Sequence, residues 1–455
     1  MPLHTASRAS IGKCLSSLQF YYATQKEILV PWKPTLVEHL KTFEELFIAD
    51  RGGFIFEPKI GVHEQVAEFD FISLYPNIML KKNLSAETIH CNCCPHSKLR
   101  VPELDYNICE KRTGIVPTSL KILLEKRAAY KRLLKTSTNP KLKAIYGARQ
   151  CSLKWVLVTS FGYLGFNNAK FGRIDAHIAV CAFDRQILLQ IAKIAERHGF
   201  RIIHGIIDSF WIQKRNNNNN NAKTQQGEKN NIYDDCLRLK KSIEQETGFI
   251  ISFEGIYKWI VFVCSKRYNE SPVGNQYFGA FENGSLKVRG LETRRHDTPI
   301  FLSKFQCEIL EIMARGNSVN EVKALMPEVA DTFRKYSQLL KENQVPLGEL
   351  VFTKQTSKNS DEYEYRNTAE NNAIQQLCIE DKSLKAGQIL KYVITDYYGK
   401  HSITKNRTVP IELINEKTTS YDIRRYTELL AENCNSVTRP FGYTIAAKDI
   451  AQKCI

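Results

Sequence analysis

Two carboxylates stand out for their surroundings. Asp70 lies in Glu68-Phe69-Asp70-Phe71-Ile72-Ser73-Leu74-Tyr75-Pro76, and Asp208 in His204-Gly205-Ile206-Ile207-Asp208-Ser209-Phe210-Trp211. Both sit in apolar, strand-like runs. An ionised Asp in such a run needs a paired cation, hydrogen bonds or a metal ion. One reading is structural, with each acid paired to a core Arg or capping a turn. The other is chemical: two acids on adjacent strands could hold a pair of hard cations. Two such ions ~3.5–4 Å apart activate a hydroxyl nucleophile and stabilise a leaving phosphate oxygen.

A set of cations supports the chemical reading. From Lys111 to Arg173 the chain carries fourteen basic residues and one acid, Glu125. A solvated face interleaves both signs; this stretch does not. Leu120, Leu123, Leu124, Arg127, Lys131 and Leu134 fall on one stripe at helical spacing. Arg127 and Lys131 therefore share the leucine side, which suggests a shielded anion facing them. Arg suits bidentate phosphate contact and Lys acts as a point charge. Lys154, on the next helical stretch, is a third candidate. The plainer alternative is that these side chains snorkel to solvent.

The elements that must position these groups can be read in outline. Gly52 and Gly53 introduce a short strand, Phe54–Phe56, and Val66–Ile72 reads as a strand broken by Pro76. Residues 81–118 read as irregular and Cys-rich. Thr118 or Ser119 is expected to cap a helix reaching about Lys135, and a turn through Asn139 and Pro140 leads to a second helix from about Lys141 to Ser160. Together they predict a basic helical hairpin. Residues 173–198 read as a core helix and Arg201–Trp211 as strand–turn–strand. The Asn-rich tract at about 215–231 is expected to be a disordered loop. A helix (Tyr233–Thr247), strands (Phe249–Val263 and Gln276–Lys287) and a helix-rich stretch, 300–455, follow.

Composition sets the outer limits. The 455 residues suggest about three domains. Hydrophobic and charged fractions of 43% and 25% exclude collagen-like, largely disordered and coiled-coil chains. No apolar run approaches the ~18 residues of a membrane span, so no membrane partner is expected. The net charge of +16 favours a polyanionic partner. Thirteen mostly scattered cysteines suggest a reduced, cytoplasmic setting, nucleoid-associated if prokaryotic. The N-terminus, without an acid until Glu27, also loosely fits a transit peptide. The cluster Cys91, Cys93, Cys94, His96 and Cys109 suits a structural Zn²⁺ site; Cys91, Cys94, His96 and Cys109 could serve, as could Cys93. Free thiols are the alternative. His63 and His204 read as structural.

At this point the residues carry a resemblance. Asp70 through Ile78 resembles motif A of family B (alpha-like) DNA polymerases. Gly205 with Asp208-Ser209 resembles motif C, Lys154 through Gly162 motif B, and Lys266-Arg267-Tyr268 the later Lys-x-Tyr motif. Arg289 through Asp297, Gly387-Gln388 with Tyr392-Val393, and Arg439 through Tyr443 resemble palm-to-thumb and thumb signatures. They occur in family order over nearly the whole chain. The resemblance implies an α+β right hand: an antiparallel-sheet palm (1–110 and 173–299), helical-hairpin fingers (111–172) and a mostly helical thumb (300–455). It is similar to the short archaeal and bacterial subgroup without an exonuclease, so proofreading is not expected. By this resemblance, Asp70 and Asp208 would bind two Mg²⁺ ions, or Mn²⁺ in their place, helped by the Phe71 carbonyl. Tyr75 would stack under the incoming sugar and exclude a 2′-hydroxyl. Arg127, Lys131 and Lys154 would hold the dNTP triphosphate. Lys266, Arg267 and Tyr268 would grip primer–template DNA. A sliding clamp or a partner polymerase is a further expected contact.

Departures from the motifs bear on activity. Ile206 and Ile207 replace the first Asp and the Thr of motif C. Val158 and Phe161 replace the Asn and Tyr of motif B. Ile206 removes a negative charge beside the cations, and Val158 removes a polar group near the triphosphate. An active but weakened or damage-tolerant polymerase is one expectation. A catalytically silent subunit that binds primer–template or a partner polymerase is the other. A generic basic DNA-binding protein explains the charge but not the ordered motifs.

Overall fold

The computed structural model describes residues 3–30, 32, 40–215, 225–265, 271–363, 368–398, 407–414 and 420–445. They fall into two compact units. The first comprises Met1–Glu57 and Ala67–Glu254, the second Pro58–Val66 and Gly255–Ile455. Among the described residues, no helix is long and apolar enough to cross a membrane.

In chain order the first unit contains α1 (Leu3–Ala6), α2 (Ile11–Gln25), α3 (Phe43–Ala49), β1 (Ile55–Phe56), β2 (Gly61–Phe71), α4 (Leu74–Lys81), α5 (Ile115–Thr136), α6 (Pro140–Leu164), α7 (Ile174–Arg197), β3 (Phe200–Ile206), β4 (Ser209–Lys214) and α8 (Gln225–Thr247). The first residues of β2 belong to the second unit. Strand order here is β1-β3-β4-β2. Val66, Ala67, Glu68 and Phe69 are all buried, so β2 is covered on both faces. Phe69 stacks on Phe210 of β4 with centroids 5.2 Å apart.

Three local expectations change. Val66–Ile72 belongs to a longer strand, and Pro76 does not simply end it. Ser73 adopts a left-handed conformation (φ 55°) and turns the chain into α4. Pro76 lies in the first turn of α4, where a missing N–H costs nothing. The cap of α5 is Gly114, not Thr118 or Ser119. Both hydroxyls point back into the helix, Thr118 Oγ1 donating to the Gly114 carbonyl at 2.7 Å. The free N–H groups of the first turn find acceptors some thirty residues earlier in the chain. Ile115 N donates to Glu87 Oε1 at 2.6 Å and Val116 N to Ser85 Oγ at 3.3 Å. Helices α2 and α3, which the sequence does not predict, are capped by Ser10 and Thr42.

The hairpin of α5 and α6 forms as expected. Asn139 accepts hydrogen bonds from Lys141 N and Leu142 N, and Pro140 opens α6. The helices meet through Tyr130 and Tyr146, with Arg149 over the Tyr130 ring at 5.4 Å. Of the Asn-rich tract, 216–224 lies outside the described residues. Residues 225–231 are helical, so the disorder expected over 215–231 does not extend to them.

The second unit contains most of β5 (Ile251–Cys264), then β6 (Pro272–Phe281), β7 (Leu286–Arg289), α9 (Ile300–Ala314), α10 (Val319–Ala324), α11 (Met326–Lys341), β8 (Phe352–Gln355), α12 (Ala369–Ile379), β9 (Ile389–Ile394), β10 (Thr408–Pro410) and α13 (Ile423–Thr438). The expected strand Gln276–Lys287 is two strands, divided where Gly284 takes φ 81°. A three-stranded antiparallel sheet, β10-β9-β8, lies within the stretch read as helix-rich. Tyr426 is fully buried there, donating to the Leu350 carbonyl at 2.7 Å and accepting from Ile394 N at 3.1 Å.

The join at Gly114 is tight. A Cβ on Gly114 would stand 2.5 Å from Ser85 Cβ. Gly114→Ala is expected to cost ~1–3 kcal/mol through overpacking, read as a lowered thermal midpoint. Gly162→Ala, with open space around it, should instead raise the midpoint, by up to ~1 kcal/mol of helix propensity. Equal effects at the two sites would contradict this packing.

Candidate active site

The acids meet where β2 ends and the β3–β4 hairpin turns. Phe71 N donates to the Asp208 carbonyl at 2.7 Å. Ser209 Oγ donates to Asp70 Oδ1 at 2.8 Å. Ile206 pairs with Ser209, leaving Ile207 and Asp208 as the two turn residues. Ile207 takes φ 53°. That region is disfavoured for β-branched side chains, so the turn stores strain beside the acids. Asp208 is exposed and Asp70 half-buried. Burial, and then the charge of Asp208, push the Asp70 carboxyl up to about 6; the Ser209 hydroxyl works the other way. A divalent cation at the two acids would reverse this penalty.

The cations converge on the same region. Arg127 Nη1 donates to Ser73 Oγ, three residues beyond Asp70. Burial holds the Arg127 guanidinium below its usual range, and Asp70 partly restores it. Lys131 is lowered by burial and then by Arg127, with Lys154 and Lys135 adding to the effect. Lys154 is exposed on α6. Cations disfavoured by burial, and for Lys131 also by its neighbours, are what an anionic ligand would relieve.

Tyr75 is half-buried, its ring 4.5 Å from that of Phe161. Phe161 in turn stacks on His177 at 4.0 Å. Burial, and then Asp184, push the Tyr75 hydroxyl well above its ordinary value. Gly53 passes close by: a Cβ there would stand 3.1 Å from Tyr75 Oη and 3.2 Å from Asp184 Oδ2. Val158 is exposed on α6.

Asp184 was not among the expected site residues. It is fully buried on α7, and burial followed by Asp208 raises its carboxyl to about 8. Arg185 and the Phe54 N–H offset this only in part. The signal was present in the sequence: Asp184 lies on the Val180–Ile187–Ile191 stripe of an apolar helix. Ser73 and Ser209, which hold Arg127 and Asp70, were also missed. Serines in turns carry no pattern that marks them.

The cysteines gather with one change of membership. The Sγ atoms of Cys91, Cys93, Cys94 and Cys109 all lie within 4.8 Å of one another, and His96 is not in the group. Burial pushes the Cys91 thiol up to about 12. Burial would raise Cys109 too, but the backbone N–H groups of Arg112 and Lys111 and the Cys93 thiol bring it down to about 7. His204 is buried, donating from Nδ1 to the Phe56 carbonyl at 2.7 Å and stacking on Trp211. Lys266, Arg267 and Tyr268 lie outside the described residues.

The mixed helix-and-sheet fold is that of a polymerase. It is similar to the solved family B DNA polymerase of the archaeon Pyrobaculum calidifontis, with a TM-score of 0.63 at 24% identity over 96% of this chain and 52% of that one. A family model described as DNA polymerase family B matches residues 16–440. The chain belongs to that family. DNA polymerase 2 of Saccharolobus solfataricus is 31% identical over 335 residues, 74% of this chain and 46% of that protein. DNA polymerase 1 of Pyrococcus abyssi is 25% identical over 446 residues, 97% of this chain and 53% of that protein. The chain thus spans about half the length of the curated relatives it matches.

Asp184 gives a test of the site's electrostatics. An acid whose folded pKa lies above its unfolded value destabilises the fold as pH rises. Here the penalty is absent below its ordinary 3.8 and complete above about 8. Asp184→Asn should therefore raise the thermal midpoint at pH 8.5, with the advantage shrinking as pH falls toward 4. A pH-independent difference would contradict the assignment.

Proposed function

We propose that the chain is a template-directed DNA polymerase that extends a primer 3′-hydroxyl with dNTPs. The observation that carries this is the meeting of Asp70 and Asp208 with the crowded cations Arg127 and Lys131 in one unit. Residues 1–110 and 173–299 would be palm, 111–172 fingers and 300–455 thumb.

Each residue has a task in this reading. Asp70 and Asp208, with the Phe71 carbonyl, would hold Mg²⁺, and Mn²⁺ could substitute. Bound there, two such ions lower the pKa of the primer hydroxyl and stabilise charge on the leaving pyrophosphate. Ser209 orients the Asp70 carboxylate through its 2.8 Å hydrogen bond. Arg127, Lys131 and Lys154 would bind the triphosphate, the guanidinium held in place by Ser73. Tyr75, supported by Phe161, would lie under the sugar and exclude a 2′-hydroxyl. Lys266, Arg267 and Tyr268 would contact primer–template DNA near the primer end.

A second reading rests on Ile206 and Val158. Both are apolar where charge or a hydrogen bond is expected to matter, and Val158 is 58% exposed on α6. The chain would then bind primer–template without extending it.

Primer extension separates the two. With Mg²⁺ or Mn²⁺, the wild type should extend a primer. Losing a metal ligand removes several kcal/mol of charge stabilisation, so Asp208→Ala should fall by about 10³-fold. Ile206→Asp should measure the effect of the missing charge. No extension by wild type or Ile206→Asp in either metal, with tight salt-sensitive binding of primer–template, would favour the silent reading.

A further inference from the structure

The four-cysteine cluster is not used by the polymerase reading, and its geometry is specific. Sγ–Sγ separations are 3.5 Å for Cys93–Cys109, 3.7 Å for Cys93–Cys94 and 3.9 Å for Cys94–Cys109. A tetrahedral ion bound at ~2.3 Å by four sulfurs sets them about 3.8 Å apart. A disulfide would bring one pair to ~2.05 Å; all four thiols here are free. Cys91, Cys94 and Cys109 are buried, while Cys93 closes the exposed side.

The surrounding chain holds the sulfurs in place. Two antiparallel bridges, Ile89 with Ile108 and Arg100 with Asn107, clip the two arms of the loop together. Cys109 N donates to the Thr88 carbonyl at 2.8 Å. Asn107 Nδ2 donates to the carbonyls of Cys91 and Cys94 at 3.0 and 2.9 Å and approaches Cys91 Sγ at 3.7 Å. Donors aimed at sulfur are the outer-shell support a thiolate ligand requires.

We propose that Cys91, Cys93, Cys94 and Cys109 bind one structural Zn²⁺, and that His96 is not a ligand. Four soft, converging sulfurs favour zinc over hard cations. On binding, the four thiols release their protons to solvent, leaving a tetrathiolate centre of net charge −2 with no open position for catalysis. The ion ties down the base of the hairpin. The same loop supplies Glu87 to cap α5, and Arg173 at the start of α7 donates to the carbonyls of Ala86 and Ile89 at 3.3 and 3.0 Å. This inference rests on the cluster's own geometry, so it stands or falls separately from the polymerase reading.

The test is metal content of the full chain, purified without chelator from zinc-supplemented cells and measured by mass spectrometry. About one zinc per chain is expected in the wild type and in His96→Ala, and less than about a tenth in Cys93→Ser. Circular dichroism checks that the variants fold. If Cys93→Ser does not fold, Co²⁺ replacing zinc in the wild type should give the intense visible absorption and sulfur-to-metal charge transfer of a tetrahedral tetrathiolate. Wild type without metal, with iron instead of zinc, or with a disulfide among these four cysteines would overturn the proposal. So would zinc kept by Cys93→Ser and lost by His96→Ala.

Discussion

The first unit is organised around one unfavourable contact, the closeness of Asp70 and Asp208. Burial first, and then the like charge of Asp208, disfavour ionisation of Asp70 and push its carboxyl up to about 6. The backbone enforces the contact: the Phe71 N–H to Asp208 carbonyl bond ties the end of β2 to the β3–β4 turn. The turn passes through an isoleucine in a left-handed conformation. Strain of that kind persists where the surroundings over-determine it. Here the surroundings are a β2 covered on both faces and a buried α7.

The hairpin of α5 and α6 answers this charge with its opposite. Arg127 and Lys131 are partly buried, where their protonated forms are less favourable than in water. Asp70, Arg127 and Lys131 are each disfavoured in their charged forms, and a phosphate with divalent ions would relieve them. In the polymerase reading, Ile206 would weaken rather than abolish function, since Asp70 and Asp208 both remain. Asp184 is also of interest. It places a third carboxylate, buried and close enough to feel Asp208, on a helix that reads as core.

Much of this was legible in the sequence where one local pattern decides the structure. The β3–β4 hairpin, the long α7 and the paired basic helices follow from period and turn residues. What was missed depends on partners distant in the chain. The first-turn N–H groups of α5, which starts from Gly114, are satisfied by the side chains of Glu87 and Ser85, not by a side chain at the helix start. Pro76 reads as a breaker but fits the first turn of a helix that Ser73 initiates. Cys93 displaces His96 because the loop's β-bridges, which spacing does not reveal, set which side chains converge. The sheet of β8, β9 and β10 has strands of six residues or fewer amid helical sequence, too short to show a period.

The central claim is that Asp70 and Asp208 act as one site for divalent cations. It is tested most directly by counting Mn²⁺ bound to the chain in the presence of a dNTP, without primer, by electron paramagnetic resonance. Wild type should bind Mn²⁺ in a form that Asp70→Asn and Asp208→Asn each largely abolish, while the folded state of both variants is unchanged. Equal Mn²⁺ binding by all three chains would contradict the account.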